Sequence, residues 1–108
     1  MASGANIESK TAASKTPLML AVLENNIKMV ELILKKGSNV NIGNQDGMTP
    51  LHIASTNNNF TIVKLLLEKG ADVNIKDNAG KSALYFARIT QNLDIINLLL
   101  ASEANLNI

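Results

Sequence analysis

A period of 33 residues constrains this chain more than any other feature. Pro17 and Pro50 lie 33 apart, as do Gly37 and Gly70, Gly47 and Gly80, and successive members of the triplets Ala21, Ala54, Ala87 and Asn41, Asn74, Asn107. Aligned on that step, "KTPLMLAVLENN", "MTPLHIASTNNN" and "KSALYFARITQN" are copies of one segment. Each is followed by a copy of a second: "IKMVELILKKGSNVNI", "FTIVKLLLEKGADVNI" and "LDIINLLLASEANLNI". Self-similarity on this scale marks small stacked units, each too thin to bury its own apolar face. The organisation expected is a partial unit over residues 1–9, then units over 10–42, 43–75 and 76–108.

Each unit reads as two short helices. Thr16, Thr49 and Ser82 suit N-caps, whose hydroxyl accepts a free first-turn N–H, and Pro17 and Pro50 stand where a missing N–H costs nothing. Asn25 and Asn58 fall where the chain must reverse, since asparagine tolerates left-handed backbone; Gln91, the third equivalent, is a poorer choice. The "NNN" at 57–59 is therefore turn chemistry rather than low complexity. The second helix carries an apolar stripe at Phe60, Val63, Leu66 and Leu67, widened by Ile62 and Leu65, and closes on Gly70 as a left-handed cap. Lys35 and Lys36 sit at a helix C-terminus, where cations favour the macrodipole. Between units, "ADVNIKDNAGK" has the Asp, Asn and Gly of tight turns and should project as a hairpin-like finger. Helices this short are marginal alone, so stacking must stabilise them. The recurring alanines mark the closest approach.

Composition narrows the function. With 10 Lys and Arg against 9 Asp and Glu, there is no basic surplus to draw phosphates, and no nucleic-acid partner is expected. The absence of cysteine removes disulfides, thiolate nucleophiles and cysteine zinc sites. No apolar run is long enough to span a bilayer, and "MASGANIESK" lacks the apolar core of a secretory signal, so the expected compartment is intracellular, with the cytoplasm the default. Aromatics make up only 3 % of the chain, which suits thin layers of aliphatic contacts.

The single histidine, His52, is the one residue with catalytic chemistry to consider. It stands third after its N-cap, the position that reaches back to the cap backbone, and Met19 and Tyr85 replace it in the other copies. That pattern is structural: a staple between helix start and finger. Catalysis would need a second group within reach, and no nucleophile, acid pair or metal-ligand spacing accompanies it. Neither a cofactor nor a metal is expected.

A 33-residue unit with "DGMTPLHIA" and "VKLLLEKGADVNIKD" resembles the ankyrin repeat, across essentially the whole chain. The resemblance implies an all-α solenoid of three repeats plus the partial one, and it exposes departures. Repeat one has "TAAS" in place of the Asp-Gly turn; repeat three replaces Pro with Ala83, His with Tyr85 and the capping Gly with Glu103. A left-handed Glu103 would cost about 1–2 kcal/mol, so that cap is either strained or remodelled, and the C-terminal end is the most prone to fray. The resemblance also likens Asn41, Asn74 and Asn107 to asparagines that a hypoxia-linked hydroxylase modifies in the family, although a turn-stabilising role accounts for them more simply.

Ankyrin arrays are similar in binding proteins through finger tips and the groove side of the first helix. Carried over by register, the finger positions are Lys10, Ala12, Ala13 and Lys15; Gly43, Gln45, Asp46 and Met48; and Lys76, Asn78, Ala79 and Lys81. The groove positions are Leu23 and Glu24, Thr56 and Asn57, and Ile89 and Thr90. Leu23 and Ile89, with Met48, are the candidates for an apolar contact patch, and the finger lysines would favour an acidic partner segment.

The ends carry their own expectation. "SGANIESK" repeats "KGSNVNIG" in register, with Gly4 33 residues before Gly37. Repeats one and three are about as apolar as repeat two, whereas terminal repeats normally offer a polar outer face. Neither end reads as a cap, so the chain is either part of a longer array or buries its ends against another copy. The function expected is a protein-interaction module without catalysis, the alternative being a structural spacer within a larger array.

Overall fold

The computed structural model describes the backbone of residues 16–106 and the side chains of residues 16–102. The expectations placed on Gly4, Lys10, Ala12, Ala13, Lys15 and Asn107 lie outside those residues. Six helices follow in order: α1 (Pro17–Leu23), α2 (Ile27–Lys35), α3 (Pro50–Thr56), α4 (Phe60–Glu68), α5 (Ala83–Thr90) and α6 (Leu93–Leu106). There is no strand among the described residues. Each odd-numbered helix packs on its following mate, and the pairs stack: α1 on α3 on α5 in one layer, α2 on α4 on α6 in the other. This is the all-α solenoid that the period implies, one helix pair to each repeat.

The caps explain why helices start where they do. Thr16 Oγ1 accepts the Met19 N–H at 3.2 Å ahead of α1, and Thr49 serves α3 in the same way, each followed by proline. Ser82 has the same extended backbone but makes no cap bond, and Ala83 takes the proline's place. Asn26, Asn59 and Asn92 cap the second helices, their Oδ1 atoms accepting the N–H groups of Met29, Ile62 and Ile95 at 3.1, 3.0 and 3.1 Å. The residue before each is left-handed: Asn25, Asn58 and Gln91 have φ of 56°, 60° and 61°. One residue of each pair reverses the chain, and the next starts the helix.

Ala21, Ala54 and Ala87 are buried, with Leu18, Val22, Val30, Leu51, Ile62, Val63, Leu66, Ile95 and Leu99 around them, so the core runs unbroken through all three pairs. The apolar stripe of α4 is shifted from its expected position. Ile62 is fully buried, whereas Phe60, at the first helical position, stands 40 % exposed because the chain has not yet turned into the stack there. Gly37 and Gly70 follow α2 and α4 with φ of 85° and 92°, the left-handed closures expected. At Glu103 the cap is remodelled. α6 runs on through this position to Leu106, 14 residues against nine in α2 and α4, because helical backbone is cheaper there than left-handed backbone for a residue with a Cβ.

Candidate protein-binding surface

The fingers are built on a single side chain at their base. Asn44 Oδ1 accepts the N–H groups of Asp46 and Met48 at 2.8 and 3.1 Å, while the Asn44 N–H donates to Met48 O at 2.9 Å. One period later Asp77 does the same, its Oδ1 accepting from Ala79 and Lys81, both at 2.9 Å. These side chains stand in for backbone in a tight turn, which Gly47 and Gly80 complete at φ of 78° and 79°.

Adjacent fingers are fastened together. Asn78 donates its backbone N–H to Asp46 O and its Nδ2 to Gln45 O, both at 2.9 Å. The approach is so close that a Cβ on Gly47 would lie 2.6 Å from Asn78 Oδ1. Asn41 clips the next repeat in a similar way: its Oδ1 accepts the Asp72 N–H at 2.8 Å and its Nδ2 donates to Gly70 O at 3.4 Å. That contact supports the turn-stabilising reading of Asn41.

His52 joins a helix start to the following finger. Its Nδ1 accepts the Thr49 N–H at 3.0 Å, and its Nε2 lies 2.9 Å from Lys81 O. The Thr49 amide can only donate and the Lys81 carbonyl can only accept, so the ring is the neutral form with its proton on Nε2. Burial lowers its pKa below 6.5, outweighing the hydrogen bond to Lys81 O and the charge of Asp77, which pull the other way. The Phe86 ring packs edge-on at 5.8 Å, and both ring nitrogens are spent on the fold.

Of the residues expected to meet a partner, Leu23, Asp46, Met48, Thr56 and Asn57 line one cleft of about 300 Å³, together with Asn44 and Ile53. Leu23, Met48 and Ile53 supply its apolar surface. Thr56 Oγ1 donates to His52 O at 3.0 Å and Asn57 Nδ2 donates to Val22 O at 3.3 Å, which fixes both side chains at the rim. Glu24, the C-cap of α1, is exposed beside Leu23, and Gln45 is exposed on its finger. Ile89, 59 % exposed on α5, does not line the cleft, and Thr90 donates to Ala87 O at 3.0 Å. Lys76 is exposed, whereas Lys81 Nζ sits over the Tyr85 ring at 4.6 Å from its centroid. Asn78 faces the neighbouring finger instead of open solvent alone.

Sequence reasoning missed Asn44 and Ile53 as cleft residues, and Asn26, Asn59 and Asn92 as caps. The latter recur at the period just ahead of each second helix, which was the available signal.

Stacked helix pairs, left-handed reversals and fastened fingers define a helical-repeat solenoid. A family model described as ankyrin repeats (3 copies) matches residues 1–77 and, overlapping them, residues 44–108. The chain belongs to the ankyrin-repeat family, whose repeats are generally protein–protein interaction modules. No curated protein matches it. Among the described residues no helix is long and apolar enough to cross a membrane.

Proposed function

We propose that this chain binds a protein through the cleft between its first two helix pairs and catalyses no reaction. The convergence of Leu23, Asp46, Met48, Thr56 and Asn57 on one concavity carries this reading. It offers apolar floor and fixed polar rim, the usual make-up of an anchor pocket at an interface. Asp46 in the lining suits a segment that places an apolar side chain beside a basic one. The non-catalytic reading is supported by His52, whose ring nitrogens are both engaged by backbone. An intracellular site of action fits the cysteine-free sequence.

The test is paired affinity capture with the parent chain and a folded Leu23→Ala, Met48→Ala variant, read by quantitative mass spectrometry. A protein retained by the parent and lost by the variant is expected. Identical profiles would overturn the cleft reading and favour the spacer alternative, for which the interlocked fingers of Asn78 and Gln45 also speak.

A further inference from the structure

The period allows each position to be compared with itself in three surroundings. Met29, Ile62 and Ile95 are one position in successive repeats; Met29 is 43 % exposed, whereas Ile62 and Ile95 are fully buried. Leu20 and Leu32 behave likewise, exposed where Ile53 is buried and Leu65 half-buried. Repeats two and three bury this flank against the repeat before them, and in repeat one it is exposed among the described residues. The opposite flank shows the reverse trend. Met19 and His52 are buried but Tyr85 is 40 % exposed; Leu34 is buried but Leu100 is 42 % exposed; and Val22 and Ser55 give way to an exposed Arg88.

These two open flanks are the two sides of one junction that the molecule already makes twice. We propose that a second copy of this chain stacks its repeat-one flank, Leu20, Met29 and Leu32, on the repeat-three flank of the first, Tyr85, Arg88 and Leu100, continuing the array head to tail. Continuity with the internal junctions is one reason. Charge is the other. Asn57 Nδ2 reaches Val22 O, so residue 57 of one repeat lies against residue 22 of the repeat before. Carried to the proposed junction, the same register sets Glu24 of the second copy against Arg88 of the first, an opposite-charge pair where the internal junctions have none. A head-to-tail contact does not close on itself and yields open chains of copies rather than a dimer.

Sedimentation velocity on the full chain from micromolar to millimolar concentration tests this. Mass should grow with concentration past the dimer. Leu32→Glu, at a side chain already exposed, should give a monomer throughout, with circular dichroism unchanged. Glu24→Arg and Arg88→Glu should each shift association to concentrations about tenfold higher or more, through like-charge contact, and the double variant should recover it. A monomer at every concentration overturns the proposal, as does association indifferent to Leu32. Association lost in Leu32→Glu but kept in Arg88→Glu also overturns it, since the repeat-one flanks would then be pairing with each other.

Discussion

Asn59 Nδ2 donates to Asn25 Oδ1 across 3.2 Å and 34 residues of sequence, while Asn59 Oδ1 accepts the Ile62 N–H that opens α4. One amide therefore caps a helix and ties it to the reversal of the preceding repeat. Asn92 repeats the contact toward Asn58 at 3.5 Å. The reversals thus form a ladder of side-chain amides along one edge of the stack.

Replacing Asn59 separates its two roles. Asn59→Ala loses cap and tie together and should destabilise the fold by about 1–2 kcal/mol. Asn59→Asp keeps a capping oxygen but removes the donor toward Asn25, and should cost less. Urea unfolding of the two variants gives both values, and equal losses would mean that the cap contributes nothing beyond the tie.

Acid should weaken the junction between repeats two and three. His52 has a folded pKa below its unfolded value of 6.5, so the unfolded chain takes up its proton first. The stability held by neutral His52 is complete above about pH 6.5 and declines as pH falls below it. In the folded state a proton on Nδ1 would face the Thr49 N–H. Unfolding free energy measured from about pH 7.5 down to about pH 5 should fall more steeply for the parent than for His52→Met, which installs the residue repeat one carries.

Ser55 is fully buried, and its Oγ has no hydrogen-bond partner among the described residues. The equivalent position in repeat one is Val22, also fully buried. Ser55→Ala should therefore stabilise the chain by about 1 kcal/mol, mostly by removing an unpaid desolvation cost. Thermal unfolding is the measurement, and a lowered melting temperature would show the hydroxyl to be satisfied in solution.

Two glycines with similar backbone should differ in their tolerance of alanine. Gly47 and Gly70 both have positive φ, and each would bear about 1–2 kcal/mol for a left-handed Cβ. Around Gly70 nothing lies within 4 Å, but at Gly47 the new atom meets Asn78 Oδ1 at 2.6 Å and Asn78 N at 2.9 Å. Gly47→Ala should be the worse by at least about 1 kcal/mol in chemical denaturation, because the fingers must part to admit it.

Most of the fold was legible because its signals are local and repeated. Thr49 and Pro50 announce α3, Gly70 announces the end of α4, and the 33-residue step sets the stack. Glu103 and Phe60 were harder to place, since a missing cap does not say how a helix will end and a stripe does not say where the first turn enters the core. The candidate surface was legible in part. Leu23, Met48 and Thr56 follow from register alone, but Ile53 lines the cleft only because two repeats leave a gap there. The engagement of Asn78 by Gln45 depends on how closely successive fingers stand, a distance the sequence does not encode at either residue.

The hydrogen bonds that join one repeat to the next among the described residues, from His52 to Lys81 through Asn57 to Val22, connect residues 29 to 35 apart. Such wiring has a grammar. Duplicating 33 residues anywhere along it leaves each junction with a familiar neighbour, whereas deleting one residue sets both flanking junctions out of phase. Lengthening by whole units therefore keeps every junction of a kind already present, so added length in that step is the change such a chain is best built to accept.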